Sequence, residues 1–263
     1  MARKRTRLDV LATERGLFPS RTAAAQAIRA GQVKLGEDGP VALRPSQEVP
    51  GEQPIVVIGG RKYVSRGGIK LENALDALEI DVAGRRCLDA GASTGGFTDC
   101  LLKRGAAHVI ALDVAYGQID DTIRNHPQVT VIERLNARDL LPMDLEYRPD
   151  LAVIDVSFIS LTKVLEAVLG CLAEDGEILA MVKPQFELGR KRVGRGGVVR
   201  GADDRREAVA GVADFALGLG LTLRGIAPTG LPGPKGNLET FIRLGRSGPG
   251  AHSGAELCEG VDV

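Results

Sequence analysis

The chain has no tryptophan, and aromatic residues make up only 3% of its 263 positions, so aliphatic side chains must fill the core. Its four cysteines, Cys87, Cys100, Cys171 and Cys258, lie far apart without a Cys-x-x-Cys pair, and His108, His126 and His252 show no partner spacing. A zinc framework and a disulfide scaffold are thereby set aside, leaving buried thiols in a reducing compartment and no resident metal. No apolar run approaches the length that spans a bilayer. The basic start Met1-Ala2-Arg3-Lys4-Arg5 is not followed by an apolar signal region, so a cytoplasmic protein without membrane attachment is expected. Net charge is lacking only on average. The 34 Lys and Arg balance 34 Asp and Glu, but residues 1–70 hold 13 basic against 6 acidic side chains, and the remainder 21 against 28. The basic end is the expected polyanion contact.

Hydrophobic residues at 44% and charged residues at 26% describe an ordinary globular chain, long enough for one mid-sized domain with a small companion. The companion is read in residues 1–58. Leu8, Leu11 and Ala12 predict a first helix ending near Gly16, and Ser20 is placed to cap a second, alanine-rich helix that Gly31 stops. Short strands are expected at Val33-Lys34-Leu35, Val41-Ala42-Leu43 and Ile55 to Ile58, between turns rich in Gly and Pro. The phrase Ser20-Arg21-Thr22 followed by Ala25, Ile28, Gly31 and Val33 resembles the S4 RNA-binding domain. That resemblance implies phosphate contacts from Arg7, Arg21, Arg29 and Lys34. Residues 59–64, with Gly59 and Gly60, read as a linker.

Residues 65–245 alternate strand and helix patterns as a doubly wound parallel α/β sheet does. Ser65 opens a helix with the apolar stripe Leu71, Ala74, Leu75 and Leu78, which leaves Lys70 off the stripe near the N-terminal turn, where a cation opposes the helix dipole. Arg86 to Ala90 is a buried strand, followed by Gly91-Ala92-Ser93-Thr94-Gly95-Gly96 and a helix from Phe97. Further strands are expected over 108–114, 129–132, 151–156, 178–183, 221–227 and 239–244. Ligands of such sheets bind outside the carboxyl ends of the strands, which places Asp89, Asp113, Asp155 and Lys183 along one rim. Residues 184–201 form a long, basic, glycine-rich connection read as a substrate-covering loop, and residues 246–263 read as a disordered tail.

A strand, a Gly-rich turn and a helix start make a nucleotide site, and Asp113 at the end of the next strand is placed to accept from two ribose hydroxyls. The glycines do not spell the dinucleotide fingerprint, and Asp89 would repel a pyrophosphate. S-adenosylmethionine, with its cationic sulfonium, fits better. The candidate cofactor residues are Asp89, Gly91, Ser93, Gly95 and Asp113, with Asn136 after the third strand near the adenine and Asp155 between cofactor and chemistry.

Five segments, Ser65 to Leu71, Asp89 to Phe97, Asp155 to Ser160, Val182 to Glu187 and Gly236 to Glu239, together resemble the TlyA, or hemolysin A, family. The resemblance implies a Rossmann-like class I, FtsJ-like methyltransferase domain behind an S4 domain, acting on the 2′-hydroxyl of cytidines in ribosomal RNA, with ribosomal subunits as partners. It carries a Lys-Asp-Lys-Glu tetrad onto Lys70, Asp155, Lys183 and Glu239. Lys183 is then the expected base, Lys70 and Glu239 its orienting partners. Two other readings stand beside this one. One is an RNA-binding ribosome-assembly factor with an inactive methyltransferase fold; the other is a membrane-active hemolysin, carried only by the family's older name.

Overall fold

A computed structural model of the protein describes residues 5–18, 20–58, 62–189, 192–194 and 196–261. The chain divides into two compact units, Met1–Arg66 and Gly67–Val263. The expected linker residues Gly59, Gly60 and Arg61 lie outside the described residues.

In the first unit strand β1 (Arg5–Arg7) runs into helix α1 (Leu8–Glu14), and α2 (Arg21–Arg29) is capped as expected, Ser20 Oγ accepting from the Ala23 N–H at 3.1 Å. Strand β2 (Val33–Lys34) pairs with β4 (Val56–Val57), and β3 (Glu48–Pro50) pairs with β1, both antiparallel. Leu8, Leu11, Ile28, Val33, Ala42 and Val49 close the core between them. The strand expected at Val41-Ala42-Leu43 is reduced to a single bridge between Lys34 and Val41. Val41 and Leu43 are exposed, so this segment has no second face to bury and no ladder to extend.

The second unit is built on a seven-stranded sheet. Helix α3 (Gly67–Ala77) leads to β5 (Arg86–Ala90), α4 (Gly96–Lys103), β6 (His108–Asp113), α5 (Asp121–Arg124) and β7 (Val129–Glu133). Then come β8 (Leu151–Ile154), α6 (Leu165–Cys171), β9 (Glu177–Val182), the short α7 (Pro184–Glu187), α8 (Ala202–Gly218), β10 (Thr222–Pro228), β11 (Thr240–Gly245) and α9 (Gly254–Leu257). Strand order is β10-β11-β9-β8-β5-β6-β7. The chain thus winds outward from β5 in one direction, then restarts on its other side at β8, which makes the β5/β8 boundary the switch point.

Residues of alternate parity face opposite sides of a strand. Leu88, Ile110, Ile154, Ala180 and Ile242 meet α6 and α8 in one core, while Phe241 on the other side packs 5.8 Å, ring to ring, from Phe97 of α4, which also packs on α3. The sheet is therefore covered on both faces, as the α/β reading requires. It departs from a wholly parallel sheet at one edge. Strand β11 runs antiparallel to both β9 and β10, because the turn after β10 returns directly without a crossover helix. The disordered tail expected over 246–263 is also corrected: Ala251 bridges Leu223, and α9 buries Leu257 and Cys258 in the main core. Two apolar anchors on one helical turn suffice where strand β10 offers an uncovered edge.

Candidate methyl-transfer site at the carboxyl rim

Gly91 leaves β5 with φ 94°, and a Cβ there would lie 2.4 Å from the carbonyl oxygen of Asp155. The ends of β5 and β8 therefore meet backbone to backbone at the switch point, which only glycine permits. The Gly91 and Ala92 N–H groups both donate to Leu112 O, at 2.8 and 3.0 Å, fastening the turn to β6. Ser93 follows at φ 50°, a left-handed conformation for a residue with a side chain. Its N–H donates to Asp113 Oδ2 at 2.7 Å, and the Ala115 N–H donates to Oδ1 at 2.7 Å. Both carboxylate oxygens are thus fixed in direction while each retains acceptor capacity.

These groups open on a cleft of about 1090 Å³, whose wall includes Gly91, Ser93, Asp113, Asn136 and Asp155. Asn136 is held by the Arg138 N–H, which donates to Oδ1 at 3.2 Å. Asp89 and Gly95 are not on that wall. Asp89 is fully buried behind the turn, where Oδ2 accepts from the Thr98 N–H and Oγ1 at 2.9 and 2.7 Å, and Oδ1 has no hydrogen-bond partner among the described residues. Burial pushes its carboxyl up to about 7. Its place is to hold the first turn of α4 against β5. Gly95, at φ 93°, caps α4 under Ile123, whose side chain would lie 3.1 Å from a Cβ there.

The four tetrad positions form two ion pairs. Lys183 Nζ lies 2.5 Å from Asp155 Oδ1 and donates to Ser157 Oγ at 2.8 Å. The Asp155 contact is off the hydrogen-bonding direction, and among the described residues Oδ1 has no hydrogen-bond partner. Lys70 pairs with Glu239 Oε2, both side chains under 10% exposed. Strand register brings the pairs to adjoining positions. Thr240 faces Val182, which sets Glu239 and Lys183 one step beyond, at the same end of the antiparallel pair. Parity assigns Glu239 to the face of Phe241, the face that α3 and α4 cover. Lys70 from α3 therefore reaches Glu239 and is buried, which answers its position against the helix dipole.

Three residues that sequence reasoning did not single out belong to this region. Ser157 holds the Lys183 ammonium, and its signal was its place two residues after Asp155. Phe158 is 91% exposed with φ 66°, on the cleft wall, its ring 5.2 Å from that of Phe186. Asn237 is buried; its Oδ1 accepts from the Val199 N–H at 2.9 Å and its Nδ2 donates to Gly197 O at 2.8 Å. It thereby clasps the long 184–201 connection to the turn that delivers Glu239. Of that connection's basic residues, Arg190, Lys191 and Arg195 lie outside the described residues. Arg192 is paired with Asp204 and Glu207 of α8.

In the first unit Arg7 and Arg21 converge on the buried carboxylate of Asp9. Arg29, exposed in the last turn of α2, and Lys34, half-buried on β2, are not part of that cluster. Among the described residues no group of His, Cys, Asp and Glu could hold a metal, and no helix is long and apolar enough to cross a membrane.

Residues 63–246 match the FtsJ-like methyltransferase family. The chain is 50% identical over 243 residues to the Mycobacterium tuberculosis protein named 16S/23S rRNA (cytidine-2′-O)-methyltransferase TlyA, covering 92% of this chain and 90% of that one. It is 39% identical to Hemolysin A of Brachyspira hyodysenteriae, over 89% and 97% of the two chains. A solved structure from Streptococcus thermophilus that carries the hemolysin name superposes with a TM-score of 0.72 at 37% identity, covering 95% of this chain and 91% of that one. With a switch-point cleft, an acid after each neighbouring strand and a match to the family over most of its length, the chain belongs to the FtsJ-like methyltransferases, and within them to the TlyA, or hemolysin A, family.

Proposed function

We propose that the protein transfers the methyl group of S-adenosylmethionine to the 2′-hydroxyl of a cytidine in ribosomal RNA. The observation that carries this reading is the two adjoining ion pairs at the carboxyl rim, Lys183 with Asp155, which lies on the cleft wall, and the buried pair Lys70 with Glu239. A ribose hydroxyl is a weak nucleophile at neutral pH, so a site that methylates it must orient it and take its proton as the new bond forms.

The cleft wall fits the cofactor. Its volume is ample for a nucleoside with an amino-acid arm, Asp113 keeps acceptor positions for two ribose hydroxyls, and the missing Cβ of Gly91 lets a ligand approach the backbone. Asn136 stands on the same wall for the base. When bound, S-adenosylmethionine supplies an electrophilic methyl group on a sulfonium. With the cofactor bound, the Lys183 amine, its own proton first released to solvent, would take the proton of the hydroxyl that is methylated. Asp155 and Ser157 fix the position of that amine, and Lys70 with Glu239 borders the place of the incoming hydroxyl. The exposed ring of Phe158 gives the nucleobase a surface for stacking.

Residues 1–58 serve as an S4-type module that binds the structured RNA through Arg7, Arg21, Arg29 and Lys34, with affinity that falls steeply as salt rises. The decisive experiment has two stages: calorimetric titration with S-adenosylmethionine, then mapping of methyl groups on RNA from ribosomal subunits incubated with protein and cofactor. The expected result is 2′-O-methylcytidine at a discrete position. Cofactor binding without methyl transfer to either subunit would overturn the reading in favour of an RNA-binding assembly factor.

A further inference from the structure

Four donors converge on Asp9, which is 2% exposed in the first turn of α1. Arg7 approaches as a fork, Nε to Oδ1 at 3.0 Å and Nη2 to Oδ2 at 2.9 Å. Arg21 Nε reaches the same Oδ2 at 3.1 Å, and the Val10 N–H donates to Oδ1 at 3.0 Å. The hydrogen bonds, that from Arg7 foremost, hold the Asp9 carboxyl down at about 2, so it is charged at any working pH. The two arginines belong to different elements, Arg7 to β1 and Arg21 to the start of α2, and their side chains are 43% and 57% exposed. Among the described residues, Arg7 Nη1 and both Nη groups of Arg21 make no hydrogen bond to the protein. Two guanidiniums are thus gripped from below by a buried carboxylate while their outer edges present donors to solvent.

An isolated surface arginine samples many rotamers and must give up that freedom when it grips a phosphate. A carboxylate beside it has two opposed effects on polyanion binding: it lowers the local positive potential, and it removes the ordering cost in advance. The geometry decides between them. A bidentate fork to a buried, backbone-anchored acid is the arrangement that orders a guanidinium, and sharing Oδ2 with Arg21 fixes the separation of the two cations.

We infer that Asp9 is a positioning residue for RNA, holding the Arg7 and Arg21 guanidiniums as a preset pair of phosphate contacts, so that an acid strengthens the binding of a polyanion. This rests on the reading of the first unit as an RNA-binding module. The preset spacing favours a backbone held in one shape, a folded ribosomal RNA segment, over a flexible single strand.

The test uses the full chain and measures affinity for a structured ribosomal RNA fragment across a salt series. Asp9→Asn adds one unit of positive charge, so electrostatics alone predicts tighter binding; the positioning role predicts binding weaker by about tenfold. In the Arg7→Ala/Arg21→Ala background the same Asp9→Asn change should no longer weaken binding, leaving only its small electrostatic gain. Arg21→Lys, at an exposed position and with its charge retained, should lose affinity almost as far as Arg21→Ala. Calorimetric affinity for S-adenosylmethionine and the melting curve report whether each variant is folded. If Asp9→Asn perturbs folding, the Arg21→Lys comparison decides alone. Asp9→Asn or Arg21→Lys binding RNA as tightly as the unaltered protein, while Arg7→Ala/Arg21→Ala binds weakly, overturns the positioning role and leaves the RNA-binding reading standing. Undiminished binding by the double alanine variant overturns both.

Discussion

Two buried acids at opposite ends of the central sheet, Glu177 and Asp89, are held in opposite ways. At the amino rim Glu177, the first residue of β9, receives Arg85 at 3.0 Å, Arg243 at 2.8 Å and Arg224. Burial works against its charged form, but the hydrogen bonds from Arg243 and Arg85 outweigh burial and hold the carboxyl below its ordinary range. At the carboxyl rim Asp89 is buried with one oxygen unpartnered among the described residues and its carboxyl pushed up to about 7, while Ser93 and Phe158 sit in left-handed backbone. An acid satisfied threefold marks the end that stabilises; acids with one cationic partner each, Asp155 with Lys183 and Glu239 with Lys70, mark the end that binds and reacts.

The largest effect that can break this contrast is at Lys183. Lys183→Ala should slow single-turnover methylation by about 10²- to 10⁴-fold with cofactor saturating, while RNA and cofactor affinities hold. Near-normal turnover would remove the reactive label from this rim. Lys183→Arg keeps the charge without readily releasing a proton, so it should be as slow as the alanine variant. Next comes Glu177→Gln, which leaves three guanidiniums around a neutral group. A loss of about 3–5 kcal/mol in denaturant unfolding is expected, with methylation per folded molecule unchanged. A loss of activity without a loss of stability would make the amino rim functional after all.

Asp113→Ala should weaken S-adenosylmethionine binding by about 1.5–3 kcal/mol for each charge-assisted hydrogen bond lost, read by calorimetry, and leave the rate at saturating cofactor nearly intact. The smallest effect is the pH dependence of stability. Asp89 binds a proton more tightly folded than unfolded, so its contribution is fully present below about pH 4 and is lost as pH rises to about 7. Glu177 has the reverse sign, its contribution being present above the ordinary carboxylate range and lost as pH falls through its lowered value. Thermal melts of Asp89→Asn should therefore show a flatter profile between pH 4 and pH 7; an unchanged slope there would mean that Asp89 is charged in the folded protein.

Much of the site was legible because its elements are local. The run from Arg86 to Phe97 encodes strand, turn and helix within a dozen residues, Asp113 ends the next apolar strand, and Ser20 stands one position ahead of α2. Lys70 was visible as a cation out of place, although its partner Glu239 lies 169 positions away. Nothing in periodicity could join them; only the family resemblance put them on one list. The same limit hid Asp9, which reads as an ordinary first-turn acid until Arg21 comes down on it from another helix.

The sequence by itself determined most of the strands and helices of residues 65–245, where the glycine turn falls and which chain end is basic, because periodicity, capping and charge are properties of neighbours along the chain. Tertiary structure alone decided that Asp89 turns inward to α4 while Asp113 turns to the cleft, that β11 returns antiparallel beside β9, and that residues 251–258 pack against the sheet edge. Each of those outcomes depends on which backbone donor or apolar face lies within a few ångströms. That proximity is set by the packing of elements far apart in sequence.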